Sequence, residues 1–441
     1  MKTLRHFFAA VAIIAFALFS PSVALAVQPT NVHAAEVLRE WYHMVLKLVR
    51  HTPTYSPPVA SRAFAYLGVT AFEGVASGSA ELQSLAGQLS GLQAVPKRLA
   101  GQTYDEAVVI DAAMAFAAQN LFANTGPTGQ RAMAKLAEKL RADVTANVPA
   151  DIVARSESHG QALAAHILAW SKSDGGADIE NMGFPMEYKL SKGAAYWVPT
   201  SLVSQQQLPL LPSWGKNRTF AMPNGTTCDL PAPPAYSEDT SSEFYRQARE
   251  VYETSQNLTA EQRAIARFWS DDPMLSPTPP GHWISIALQI LERDHSDLDR
   301  SVDVVARLGI AEADSFIGCW NTKFQYNLLR PVTYIRRTMD PKWEPLLITP
   351  PFPEYPSGHS TQSSAAAAVL TQAFGENFAF EDATRHRDGL APRHFPDFWA
   401  AAHEAALSRL YGGIHFRAAI EQGLEQGRCI GAYTNSLRTR K

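Results

Sequence analysis

Apolar residues recur every three or four positions along most of this chain, and the recurrence marks helices. Between Val32 and Val49, the side chains Leu38, Trp41, Tyr42, Val45, Leu46 and Val49 fall on one stripe, which predicts a first core helix. Pro57 and Pro58 open a second from about Ala60 to Val75. There Ala65, Gly68 and Ala71 interleave with Phe64, Leu67 and Phe72, so a neighbouring helix is expected to pack closely. The same period continues through Tyr104–Phe122, Gly129–Val144 and Ile152–Trp170, with Gly, Pro or Asn at the breaks. From Ser173 to about Ser241 prolines and glycines interrupt every regular pattern, and an excursion of this length points to a segment packed over a scaffold. Helices resume at Ser242–Thr254, Thr259–Ser270, His282–Arg293 and Val302–Leu329, where Pro331 ends or kinks the chain. A Pro-rich connector from Asp340 to Pro356 precedes Ser360–Phe374, Phe395–Leu410 and His415–Tyr433. Nothing alternates with period two and no solenoid repeat is visible, so the expected fold is an all-α helical bundle.

The pattern divides the chain into a leader at 1–26, a helical scaffold at 27–172, the excursion at 173–241 and a C-terminal helical bundle at 242–441. Lys2 and Arg5, the apolar run Phe7 to Phe19 and the small-x-small site Ala24, Leu25, Ala26 make the leader a signal peptide. Cleavage after Ala26 implies an exported protein, periplasmic or secreted. The apolar run is too short to span a bilayer, and no later stretch is apolar enough to do so.

With 441 residues, 46% of them apolar and 18% charged, the chain has ample material for a compact core. The net charge of −3, more negative still once Lys2 and Arg5 leave with the leader, argues against a nucleic-acid surface. Three cysteines, Cys228, Cys319 and Cys429, allow one disulfide at most and show no zinc-like spacing. Asn217, Asn224 and Asn257 head Asn-x-Thr triplets, which matter only in a host that glycosylates exported chains.

Candidate chemistry gathers between Trp320 and His415. Lys323 and Arg330 lie seven apart, which on one continuous helix places them two turns apart on one face. The apolar company of Cys319, Trp320, Phe324, Leu328 and Leu329 buries that face, where unpaired cations call for an anion. Pro356, Ser357, Gly358 and His359 precede an Ala-rich helix, so the Ser357 and Gly358 amides should be unsatisfied and suited to an oxyanion. Gly358 allows close backbone approach, Ser357 adds a hydroxyl and His359 suits proton transfer. Further on, Ser408, Arg409 and the Gly412–Gly413 turn lead to His415, which can bring a bidentate donor and an imidazole lone pair to one point.

Lys, six residues, Arg-Pro, then Pro-Ser-Gly-His, then Ser-Arg, five residues, His resembles the signature shared by phosphatidic acid phosphatase type 2 enzymes, bacterial acid phosphatases and vanadium-dependent haloperoxidases. The resemblance implies that Lys323, Arg330, Ser357, Gly358 and Arg409 bind the equatorial oxygens of vanadate or phosphate. It also implies that His359 is the acid-base residue and that His415 bonds the metal or attacks phosphorus. Similarity to the long haloperoxidase-like members extends to Pro57, Pro58, Ser61 and Arg62, to the segment from Trp197 to Gly215, and to Thr278 through Trp283. Trp320 and Phe352 look like the aromatic pair on the halide side of fungal chloroperoxidases.

The implied activity is vanadate-dependent oxidation of halide by hydrogen peroxide. An acid phosphatase acting on phosphomonoesters through a phosphohistidine, with no vanadate cofactor, is the alternative, and a non-catalytic helical protein with a vestigial anion site the third. One departure bears on the choice: members of the family place an Asp four residues after the last histidine, and here that position is Ala419. Asp271, Asp272 and Glu421 are candidates to replace it or to pair with the arginines. His282, His403 and Glu404 read as ordinary structural residues.

Overall fold

A computed structural model describes residues 30–441 with 202, 204 and 205 excepted, so the leader lies outside the described residues. The described chain is helical, as its periodicity requires. The scaffold comprises α1 (Thr30–Arg50), α2 (Pro57–Ala76), α3 (Glu106–Leu121), α4 (Pro127–Thr145) and α5 (Ala150–Ser171), followed by the single-turn α6 (Gly176–Ile179). After the excursion come α7 (Glu243–Gln256), α8 (Ala260–Phe268), α9 (Thr278–Arg293) and the long α10 (Leu298–Tyr326). The last group is α11 (Pro331–Thr338), α12 (Gly358–Phe374), α13 (Phe398–Tyr411) and α14 (Arg417–Asn435). Local chemistry sets many of the starts. Thr259 and Gln262 form a reciprocal capping box on α8, and Ser242, Asp297 and Asp397 cap α7, α10 and α13.

Three expectations are corrected. The helix predicted to run to Leu329 stops at Tyr326, because Asn327 turns into the left-handed region at φ 48°. Pro331 does not end a helix but opens α11, where its fixed φ and missing N–H suit the first helical position. A short antiparallel pair also forms, β1 (Phe380–Asp382) against β2 (Arg393–Phe395), too brief to announce itself by alternation.

α10 runs through the centre. It packs on α2 at glycine pairs: a β-carbon on Gly68 would lie 2.9 Å from Ala306 Cα, and one on Gly309 would lie 2.9 Å from Phe64 O. One continuous apolar core, including Trp41, Phe64, Trp283 and Trp320, joins α1 and α2 to α9, α10 and α12. The excursion is pinned to this scaffold by buried polar contacts. Asp314 on α10 accepts the Phe220, Ala221 and Met222 amides at 2.7 to 2.9 Å, and Asp174 binds Arg62 and Tyr66 at 2.6 and 2.8 Å. Cys228 is disulfide-bonded to Cys429 of α14, leaving Cys319 buried and free. No helix of the described residues is long and apolar enough to cross a membrane.

Candidate active site

The last turn of α10, the residue before α11, the start of α12 and the turn after α13 converge in the buried interior. Lys323 has no exposed surface, and its Nζ donates to the carbonyls of Pro353 and Glu354 at 2.9 and 3.0 Å and to that of Pro356. Arg330 is equally buried; Nε donates to Phe352 O at 2.8 Å and Nη1 to Ile414 O at 2.9 Å. Seven-residue spacing does not bring the two cations together, since Arg330 lies beyond the end of α10. Tertiary packing does: Lys323 Nζ and Arg330 Cζ sit 5.2 and 5.0 Å from the centroid of the Phe352 ring.

Ser357 caps α12, its Oγ accepting from Ser360 N at 3.3 Å. Its own amide is not free, contrary to expectation, because it donates to Ala419 O at 3.0 Å. Among the described residues, the amides left without an acceptor at this helix start are those of Gly358 and His359. A β-carbon at Gly358 would make only ordinary contacts, 3.8 to 3.9 Å from Phe316, Trp320 and Cys319, so packing within the fold does not itself demand glycine there.

Arg409, at the end of α13, donates to Trp269 O at 2.7 Å and places Nη1 3.3 Å from His359 Nε2. His415 precedes α14 rather than opening it. Its Nε2 accepts from Arg330 Nη1 at 3.1 Å, and its Nδ1 donates to Glu354 Oε1 at 2.8 Å. These two partners select one tautomer, with the proton on Nδ1 and the Nε2 lone pair turned among the cations. Burial, then Arg330, Lys323 and Arg409, hold His415 well below the ordinary histidine range, so the ring is neutral.

Glu354 is the functional residue that sequence reasoning missed. It is fully buried and also accepts the Phe416 amide at 2.8 Å, and it stands where the carboxylate absent at Ala419 would be needed. Asp271, Asp272 and Glu421 do not take this role: Asp271 approaches His359, Asp272 neighbours Arg409, and Glu421 lies 3.9 Å from Arg417. The signal was an acid inside the apolar run Phe352, Pro353, Glu354, Tyr355, a place where a carboxylate needs a specific partner.

His359 is partly exposed, with 14% of its side chain accessible. Its Nε2 lies 3.6 Å from Asp271 Oδ2, and burial and Arg409 push its pKa down to about 4. His282, read from sequence as ordinary, bonds the other side of Asp271 at 3.0 Å. His403 is exposed and Glu404 pairs with Arg393, as ordinary surface and structural residues do. Trp320 and Phe352 lie side by side with ring centroids 4.9 Å apart, and the Trp320 N–H is committed to Leu210 O at 3.1 Å.

The charge balance suits an anion. Among the described residues, Lys323, Arg330 and Arg409 have no carboxylate within ion-pair distance, and Arg330 Nη2 is buried with no partner. Burial lowers Lys323 to about 8 and both arginines to about 10, so the arginines remain charged at neutral pH. Three cations and two free helix amides beside a neutral imidazole are a donor set that fits a tetrahedral oxyanion.

Fold and candidate site together define a helical bundle with a cluster of buried cations. Residues 303–440 match the family described as the VCPO second helical-bundle domain. A solved structure described as the first bacterial vanadium-dependent iodoperoxidase superposes with a TM-score of 0.84 at 36% identity, covering 92% of this chain and 97% of that one. The vanadium chloroperoxidase of Curvularia inaequalis is 24% identical over 217 residues, 35% of this chain and 36% of that protein. A holo-type bacterial vanadium-dependent chloroperoxidase shares the fold, with a TM-score of 0.66 at 16% identity over 87% of this chain and 92% of that one. The chain belongs to the vanadium haloperoxidase superfamily.

Proposed function

We propose that this protein is a vanadate-dependent haloperoxidase that oxidises halide with hydrogen peroxide, and that iodide is the first halide to test, given the iodoperoxidase similarity. The observation that carries the reading is the neutral His415, its Nε2 lone pair directed among three buried cations that lack carboxylate partners. Bound vanadate would supply an electrophilic centre that activates peroxide without changing oxidation state. Lys323, Arg330 and Arg409 would hold its oxygens by charge, the Ser357 hydroxyl and the Gly358 amide would add neutral donors, and His415 Nε2 would bond the metal. His359, which is partly exposed, would pass protons to and from the bound oxygens. Trp320 and Phe352 would give the halide a low-polarity approach beside Lys323.

A second reading is favoured by a specific contact. Phosphate has the same shape and charge, and Glu354 gives His415 the carboxylate that a nucleophilic histidine needs, so phosphomonoester hydrolysis through a phosphohistidine also fits. The test is triiodide formation by purified protein with vanadate and peroxide, beside hydrolysis of an aryl phosphate in vanadate-free buffer. Iodide oxidation that inorganic phosphate suppresses and His415→Ala abolishes is the expected result. Hydrolysis without halide oxidation would instead establish the phosphatase. Neither activity would leave an anion-binding protein.

A further inference from the structure

His282 makes no hydrogen bond to the candidate oxyanion-binding residues, yet both of its ring nitrogens meet carboxylates. Nδ1 lies 3.0 and 3.1 Å from the two oxygens of Asp271, and Nε2 lies 2.9 Å from Asp382 Oδ2. All three side chains are buried. A neutral imidazole has one N–H and one lone pair, and here the lone pair would confront a buried carboxylate. Only the imidazolium donates on both sides. Trp269 stacks on the ring at 4.6 Å between centroids and 29° between planes, which suits a cation.

The contacts continue toward the site. Asp271 Oδ1 also accepts from Arg385 Nη1 at 2.8 Å, while Oδ2 faces His359 Nε2 at 3.6 Å. Asp271 adopts φ 49°, a region that residues with a side chain seldom occupy, and its contacts to His282 and Arg385 offset that strain. The charged groups around His282 are Asp271 from the segment between α8 and α9, Asp382 from β1 and, behind Asp271, Arg385. Asp272, His359 and Arg409 are the further charged or titratable neighbours of Asp271.

We propose that His282 is a positioning residue, charged across the neutral range, that keeps Asp271 ionised and aimed at His359, so that Asp271 orients His359 without competing for its proton. The proposal rests on the reading above only in assigning proton transfer to His359. Two buried carboxylates deprived of the cation between them would not both stay ionised, and whichever kept its charge would draw a proton toward the site. Burial works against the charged ring, but Asp271 and Asp382 outweigh it and hold His282 above the ordinary histidine range.

The experiment is nitrogen-15 spectroscopy of histidine-labelled, vanadate-free protein, with His282→Gln and Asp382→Asn alongside. In the wild type, both His282 nitrogens should stay protonated between about pH 5 and 8. In His282→Gln, His359 should bind its proton less tightly by about one pH unit, because Asp271, without the cation that keeps it ionised, takes up a proton and no longer offsets the charge on the ring. In Asp382→Asn, His359 should titrate as in the wild type, because Asp271 keeps its cation. The affinity for inorganic phosphate, measured by calorimetry, should change less than about threefold in both variants, since Lys323, Arg330 and Arg409 are untouched. A neutral His282 at pH 7 in the wild type overturns the proposal, and so does an unmoved His359 in His282→Gln. Should that variant not fold, the wild-type spectrum decides. Failure to oxidise halide would remove the haloperoxidase reading and leave this measurement standing.

Discussion

Glu354 and His415 are joined by a 2.8 Å hydrogen bond from Nδ1 to Oε1, so the carboxylate that orients the last histidine comes from the segment in front of α12 and not from α14. Burial raises Glu354 to about 7, against the pull of Arg330 and Lys323, and its Oε2 has no partner. Replacing it with Gln keeps an acceptor for Nδ1 and removes the charge. Vanadate affinity of E354Q should fall about 10- to 100-fold, the usual effect of losing a partner that orients a metal-binding histidine. Titration of vanadate into vanadate-free protein checks this, and an unchanged affinity would refute the orienting role.

Lys323 donates only to backbone carbonyls, so its charge should be put to use when an anion arrives. Vanadate or inorganic phosphate should therefore stabilise the wild type by mass action, by about 2.7 kcal/mol at a hundredfold excess over the dissociation constant. Lys323→Met and Arg409→Ala should show little or none of that rise in Tm under the same conditions. An undiminished rise in both would place the anion elsewhere.

The raised pKa of His282, about 9 against an ordinary 6.5, sets a pH dependence of stability. Its contribution is complete below about pH 6.5 and lost as the pH rises through about 9, because the folded state holds the proton more tightly than the unfolded chain. The difference is worth about 3 kcal/mol. Thermal unfolding of the wild type should show Tm falling by several degrees between these limits. His282→Gln should start lower at neutral pH and follow a flatter slope.

The Cys228–Cys429 disulfide links residues 201 apart and ties the excursion to α14. Closing so long a loop restricts the unfolded chain and should contribute about 3–5 kcal/mol. Cys429→Ser should lower Tm by several degrees. Reductant should lower the wild type to the same value and leave the variant unchanged.

The sequence by itself determined the helices and the parts of the site. Local rules suffice for both: periodicity marks Leu38 to Val49, Thr259 caps α8, and Pro-Ser-Gly-His opens α12. Only the tertiary structure decided how those parts meet. Arg330 reaches His415 across 85 positions after α10 has ended, Glu354 takes the place of an acid absent at Ala419, and His282 reaches Asp382 across 100 positions. It likewise chose Cys228 and Cys429 from three cysteines. A helix is specified by neighbours within a few residues, whereas the direction of a buried charge depends on how distant helices dock and on which partner remains once water is excluded.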